Sequence, residues 1–259
     1  MIIIHKSLPL LLAVVLPFTG CKSDKGPATS TANEQTKVAV ATADPATLGT
    51  VEGNVRFRGK APERVRIDMS QDPACTLSNA ENRSEQYVVE NGKLANVFVY
   101  IKSTPSNIKP AEGTQTATID QKGCRFIPHV VALYQGGSVS FTNSDPTMHN
   151  VHTMPVQVGN RSVDVSEGPG GKPESVQFKD AENMLPVRCN NHPWMNAFVN
   201  ISPTPFFAVT GTDGSFKIAG LPAGNYTIAF VHEKLGEQDL PVTITAQKST
   251  TITTDFNKK

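Results

Sequence analysis

Apolar and polar residues alternate with a period of two along much of the chain beyond residue 48. The alternation is clear in residues 51–57 and again in residues 240–254. Between them, short apolar runs rich in β-branched and aromatic residues are separated by Gly, Pro, Asn or Asp; these runs are residues 97–101, 126–133, 139–141, 198–201, 206–209 and 226–231. No segment keeps the 3.6-residue period of an amphipathic helix. The pattern therefore predicts an all-β protein built from packed sheets.

The first twenty residues have the pattern of an export signal, with Lys6 followed by an apolar run over residues 8–18. This run is too short to predict a membrane span. The string Phe18-Thr19-Gly20-Cys21 resembles the lipobox of bacterial lipoproteins, which implies that Cys21 becomes the lipid-bearing first residue of the mature chain. The alternative is a plain secretory signal with an incidental cysteine. Both interpretations predict a chain in the periplasm or cell envelope.

Residues 21–47 contain no aromatic side chain and are rich in Ala, Thr, Ser, Lys and Asp. Such a segment cannot bury enough apolar surface to offset the entropy of ordering it. We expect a flexible linker between the lipid and the folded part. The residues that follow Cys21 favour attachment to the outer membrane over the inner one, by analogy only.

Charge is nearly balanced over the 259 residues, with 24 basic and 23 acidic side chains. No basic run with interleaved aromatic residues occurs. The chain therefore lacks the electrostatic features that bind nucleic acid, and we do not expect nucleic acid among its partners.

The segment Cys189-Asn190-Asn191-His192-Pro193-Trp194-Met195 brings three possible metal ligands together at three-residue intervals. A further histidine, His149, lies forty residues upstream. One thiolate, two imidazoles and a weak axial thioether are the ligand set of mononuclear blue-copper sites. A structural zinc site would use several Cys or His donors and would gain nothing from Met195. The ligand types therefore predict one copper ion.

These motifs resemble the cupredoxin family, most closely amicyanin and plastocyanin, over roughly residues 114–203. The resemblance implies a Greek-key β-sandwich over residues 111–203 in which His149, Cys189, His192 and Met195 bind copper. It also implies that Asn150 attaches the ligand loop to the neighbouring strand. The matching positions are Phe126-x-Pro128, Gly137-x-Val139-x-Phe141-x-Asn143, His149-Asn150-Val151 and Cys189-x₂-His192-x₂-Met195.

Residues 208–230 contain two turn sequences between short apolar runs, Thr212-Asp213-Gly214 and Leu221-Pro222-Ala223-Gly224. They resemble the carboxypeptidase regulatory-like (transthyretin-like) β-sandwich, a non-catalytic module. The opening Gly49-x-Val51-x-Gly53-x-Val55 and the run over residues 95–101 look like the first strands of that module. One hypothesis is that residues 48–110 and 204–259 form one sandwich with the cupredoxin domain inserted between them. The alternative is two independent units in series.

Two cysteines remain once Cys21 and Cys189 are assigned, and both lie in a compartment where disulfides persist. A bridge between Cys75 and Cys124 is the simplest expectation. The competing interpretation is a second metal site that uses Cys124 and His129.

The leading function is one-electron transfer through the copper site. We expect a redox partner protein to dock near His192, Pro193 and Trp194, at an exposed edge of the His192 ring. The alternatives are a copper chaperone or storage protein, and a structural or glycan-binding envelope module. An enzyme is not expected, because a copper reductase needs a second copper site with more histidines and no nucleophile elbow is present.

Overall fold

The computed structural model describes residues 40–41, 44–77, 81–103, 109–110 and 115–258. The predicted export signal, Cys21 and most of the predicted linker lie outside these residues. Within them the regular structure is almost entirely β-strand, with one short α-helix, so the all-β prediction is confirmed. No helix in the described part of the chain has the length and apolar character needed to cross a membrane.

The strands are numbered in chain order. Strands β1 to β6 are Val40–Ala41, Leu48–Arg58, Val89–Glu90, Lys93–Leu94, Phe98–Ile101 and Lys109–Pro110. Strands β7 to β15 are Thr116–Gln121, Phe126–Ile127, Val130–Tyr134, Ser138–Asn143, His149–Thr153, Asp164–Glu167, Glu174–Gln177, Glu182–Arg188 and Asn196–Ser202. Strands β16 to β20 are Phe207–Val209, Ser215–Pro222, Gly224–His232, Gly236–Ile244 and Ser249–Asn257. The single α-helix, α1, is Pro73–Leu77, and a 3₁₀ turn covers Pro45–Thr47.

One sandwich is built from strands at both ends of the described chain. Its first sheet has β2 at the centre, paired antiparallel to β17 and parallel to β20. Its second sheet has the order β16-β5-β18-β19. β2 alternates between buried and half-buried residues, as its two-residue sequence period requires. Gly53 in β2 is needed there because a Cβ atom would collide with the Ile252 carbonyl in β20.

A second sandwich, built from β7 to β15, lies between the two halves of the first in sequence and is called here the metal domain because it carries the four predicted ligands. One sheet has the order β13-β10-β7-β8 and the other has the order β12-β11-β14-β15-β9. Its core is large and apolar, and includes Phe126, Phe141, Phe178 and Leu185, all fully buried. Because β2 pairs with β17 and β20, and β5 pairs with β16 and β18, strands that precede and follow the metal domain in sequence share the same two sheets.

The segment between β2 and β3, described for residues 59–77 and 81–88, leaves the first sandwich, and its residues 67–75 reach the core of the metal domain. Met69 and Cys75 join the core of the metal domain, and a disulfide links Cys75 to Cys124. Residues 59–88, called here the crossing segment, carry α1. The predicted domain boundary at residue 110 therefore does not coincide with the boundary between the two hydrophobic cores. The crossing segment precedes residue 110, but the Met69 side chain and the Cys75–Cys124 disulfide hold it to the metal domain.

The two sandwiches share a small apolar junction that includes Phe98, Ala132 and Ala229. A buried hydrogen bond reinforces it, with 2.6 Å between His129 Nε2 and Glu233 Oε1 and both side chains only 3% exposed. Regular structure begins slightly earlier than predicted, since β1 pairs with β6 and the 3₁₀ turn precedes residue 48.

Candidate metal centre

The four predicted ligands come from three neighbouring pieces of the metal domain. His149 is the first residue of β11, and Cys189 directly follows β14. His192 and Met195 lie in the turn that leads into β15. Because β14 pairs antiparallel to β15 and also to β11, the strand ends that carry these residues meet at one edge of the sheet.

The donor atoms of the two histidines and the cysteine converge. His149 Nδ1 lies 3.0 Å from His192 Nδ1, and Cys189 Sγ lies 3.5 Å from His192 Nδ1. All three side chains are buried, and Cys189 is the free cysteine among the described residues. Met195 is 1% exposed and its backbone N–H donates to the His192 carbonyl. The turn that carries His192 and Met195 is thus fixed by its own backbone bond.

The surroundings of Cys189 favour its thiolate. Burial alone would raise the pKa of the thiol, but hydrogen bonds from His149, His192 and the Asn150 and Asn191 backbone amides outweigh it and lower the pKa from 9.0 to about 7. The Asn150 amide nitrogen lies 3.3 Å from Cys189 Sγ. A thiol with a lowered pKa supplies the deprotonated sulfur that metal binding requires.

The outer nitrogen of the His149 ring is held by a carboxylate. His149 Nε2 lies 2.9 Å from Asp145 Oδ2, and Asp145 also accepts the backbone N–H groups of Gly123 and Cys124. Burial would lower the pKa of His149, but the Asp145 carboxylate raises it to about 9. The same contacts lower the pKa of Asp145 against its own burial. Asp145 therefore fixes the ring with Nδ1 directed at Cys189 and His192.

The outer nitrogen of the His192 ring is held in the same way, by Asp72 of the crossing segment. His192 Nε2 lies 2.9 Å from Asp72 Oδ2, and this hydrogen bond lowers the pKa of Asp72. His192 is only 4% exposed as a result. The expectation of an exposed His192 edge was wrong, because the crossing segment covers that edge. Pro193 is exposed and Trp194 is half-buried.

The disulfide lies beside both histidines. Cys75 has its sulfur within 4.8 Å of ligand atoms of Asp72 and His192. Cys124 has its sulfur within 4.8 Å of ligand atoms of Asp145 and His149. The disulfide thus holds both carboxylates next to the imidazoles. Because Cys124 is in the disulfide and His129 is paired with Glu233, the alternative metal site from Cys124 and His129 is wrong.

Asn150 attaches the ligand turn to the neighbouring strand. Its side-chain oxygen accepts the Asn190 backbone N–H at 3.2 Å, and its amide group donates to Asp164 and to the Val165 carbonyl. Asn190 also donates to Asp164 from its own side chain. The residue after Cys189 is therefore tied to β11 and β12, which is the role expected of Asn150.

The donor set fits a copper ion. Metal-binding histidines typically donate their second ring N–H to a carboxylate or carbonyl, and both imidazoles here do so. The two Nδ1 atoms and the sulfur that remain face one another in a pocket closed to solvent, with Met195 in the same core. Copper, with its preference for imidazole, thiolate and thioether, suits these residues better than zinc.

Sequence reasoning missed both carboxylates. Asp145 stands four residues before His149 in a turn sequence, Asn143-Ser144-Asp145-Pro146, and this proximity was a signal that could have been used. Asp72 stands 120 residues before His192 and has no local signal at all. Only the expected pairing of Cys75 with Cys124 pointed to that part of the chain.

No family model matches this chain, and no curated protein matches it. The comparison with solved structures finds copper proteins. A copper-containing nitrite reductase from Thermus scotoductus is 20% identical with a TM-score of 0.31 over 54% of this chain, and the match spans only 28% of the reductase.

Two small copper proteins are matched over almost their whole length. A Cu(I) form of an amicyanin variant is 19% identical with a TM-score of 0.30, over 40% of this chain and 98% of amicyanin. A purple cupredoxin from Nitrosopumilus maritimus is 19% identical with a TM-score of 0.28, over 33% of this chain and 99% of the cupredoxin. The structural neighbours are thus cupredoxins at low identity, matched by only part of the chain. Likeness at this level carries no argument about function, which has to be argued from the site.

Proposed function

We propose that this chain is a cell-envelope protein that carries single electrons through one type 1 copper ion bound by His149, Cys189, His192 and Met195. The observation that carries the proposal is the convergence of the two Nδ1 atoms and the Cys189 sulfur in a buried pocket. The ion supplies a one-electron couple, and the residues supply a fixed set of donors. We further propose export and attachment to the membrane through a lipid on Cys21.

Rigidity of the donors supports electron transfer. The rings of His149 and His192 are each held by a carboxylate, and the cysteine sulfur accepts a backbone N–H. Donors that stay in place when the charge of the ion changes keep the barrier to electron exchange low. The burial of both imidazoles favours retention of the metal over its transfer to another protein. A chaperone needs an open ligand edge for such a transfer.

The other described histidines support a single mononuclear site. His129 is paired with Glu233, His152 contacts Asn190, and His232 packs between Tyr87 and Phe256. Each group of potential metal ligands in the described part of the chain contains His149 or His192. We therefore propose an electron carrier and not a copper enzyme.

The test is copper titration followed by visible absorption and paramagnetic resonance, on the wild type and on Cys189→Ala. We expect an intense thiolate-to-copper band and narrow copper hyperfine splitting in the wild type, and the loss of both in the variant. A titration that gives colourless, readily exchanged Cu(I) and no such band would favour copper handling instead. Asn191→Ala, which alters an exposed side chain of the same turn without removing a donor, is the control and should keep both signals.

A further inference from the structure

A groove of about 240 Å³ opens beside the metal centre, at the turn that carries the ligands. Trp194 and Met195, both in the turn that carries the predicted ligands, are among the residues that line it. The charged residues that line it are Arg83, Arg125, Arg188 and Glu85. His129, which is hydrogen-bonded to Glu233, also lines it. We call this feature the arginine groove.

The positive charge of the arginine groove is only partly offset. Arg188 is exposed, and its side chain makes no hydrogen bond or ion pair with the described residues. Arg125 lies 3.7 Å from Glu85, and its Nε atom is buried without a hydrogen-bond partner. Arg83 pairs with Glu81 at 2.8 Å, outside the groove. Arg188 therefore gives the groove a positive charge that no described carboxylate pairs with, next to the turn that carries the predicted ligands.

The wall of the groove contacts the predicted ligands. The Trp194 ring lies 5.2 Å from the His192 ring, centroid to centroid, and its indole N–H donates to the Cys124 carbonyl. Met195 lines the groove directly. Asp72 closes the outer edge of His192, so Trp194 is the half-buried aromatic group that links this ligand to an open surface.

We propose that a one-electron carrier protein with an acidic surface docks on the arginine groove and exchanges electrons with the metal centre through Trp194. The inference rests on the proposed electron-transfer function. One electron moves between the redox group of the partner and the copper ion, and no bond forms or breaks. A protein is favoured over a small anion because the groove shares Glu85, Arg125 and His129 with a larger cleft of about 970 Å³.

Charge reversal at Arg188 tests the proposal, because this exposed side chain has no partner to lose. The copper-loaded, oxidised protein is mixed in a stopped-flow instrument with reduced plant-type ferredoxin, which is an acidic one-electron protein. In a second arm, the reduced protein is mixed with hexacyanoferrate(III), which is a small anion. The matched control is Lys122→Glu, an equal charge change at an exposed residue two positions from Cys124 and outside the groove.

We expect Arg188→Glu to slow the ferredoxin reaction about tenfold at low ionic strength, and the difference to disappear in 1 M salt. Lys122→Glu should have a much smaller effect. Equal rates for the two variants would overturn the proposal. The proposal would also be overturned if Arg188→Glu slowed only the reaction with hexacyanoferrate(III), because the groove would then be a site for small anions.

The spectrum of each variant is recorded first. If the wild type lacks the blue-copper band, the proposed function itself fails. If the band is present in all three proteins and the rates with ferredoxin do not differ, the docking inference fails and electron transfer stands.

Discussion

Replacing Asp72 with Asn should weaken copper binding although Asp72 is not a ligand. In the native chain Asp72 Oδ2 accepts the N–H of His192, and Oδ1 accepts the Ala74 backbone N–H. An Asn that keeps the bond to Ala74 turns its NH₂ group toward His192. The ring can then pair with it only by accepting at Nε2, which moves the ring proton to Nδ1. This tautomer blocks the nitrogen that faces Cys189 and His149.

The size of the effect follows from the kind of bond that is lost. Removing a carboxylate that orients a metal-binding histidine typically costs about 10–100-fold in metal affinity, which is about 1.4–2.8 kcal/mol. The carboxylate also raises the electron donation of the ring, which favours Cu(II) over Cu(I). If a tenfold loss falls on Cu(II) alone, the reduction potential rises by about 59 mV.

The assay is competition against a chelator of known affinity for each oxidation state, together with voltammetry. Asp68→Asn is the matched control, because Asp68 is an exposed acid of the same segment that bonds to Ser70 and not to a ligand. If Asp72→Asn and Asp68→Asn bound copper equally well and had the same potential, the argument from ring orientation would be refuted.

Three further changes have distinct expected outcomes. Replacing Cys75 and Cys124 with Ser opens a loop of 49 residues, which should lower the free energy of unfolding by about 4 kcal/mol in denaturant titrations; an unchanged midpoint would contradict this. Met195→Leu should keep the blue band and raise the reduction potential, since the thioether favours Cu(II); a lower potential would count against an axial role. Burial lowers the pKa of His232 to about 4, from 6.5, so the unfolded chain gains the proton first as pH falls. The free energy of unfolding therefore loses nothing to His232 above pH 6.5 and falls by roughly 3 kcal/mol on its account as the pH drops to 4. In His232→Gln the free energy of unfolding should fall by that much less over the same pH range.

The sequence was informative where structure and chemistry are local. The two-residue alternation in residues 51–57 and 240–254 corresponds to β2, β19 and β20, whose side chains have to face core and solvent in turn. The ligand turn could be identified because Cys189, His192 and Met195 stand within seven residues of one another. Spacing of this kind needs no knowledge of which strands pair.

The sequence was uninformative where a contact depends on long-range pairing. Asp72 meets His192 only because the crossing segment leaves β2 and packs on the metal domain. The segment has little apolar periodicity, and Asp72 is one acid among 23. The expected exposure of His192 failed for that reason, since the resemblance to small cupredoxins contains no information about a covering segment from another module.

The crossing segment gives the flanking sandwich a part in the candidate metal centre. The crossing segment begins after β2, in the middle of the first sandwich, and returns to that sandwich at β3. Between these ends it is held to the metal domain through the bond between Cys75 and Cys124. Asp72 is therefore positioned by both sandwiches at once. A change in how the sandwiches pack, for example at His129 and Glu233, would shift Asp72 relative to His192 and so alter the copper potential. We therefore expect the flanking sandwich to influence the proposed copper site without supplying a ligand.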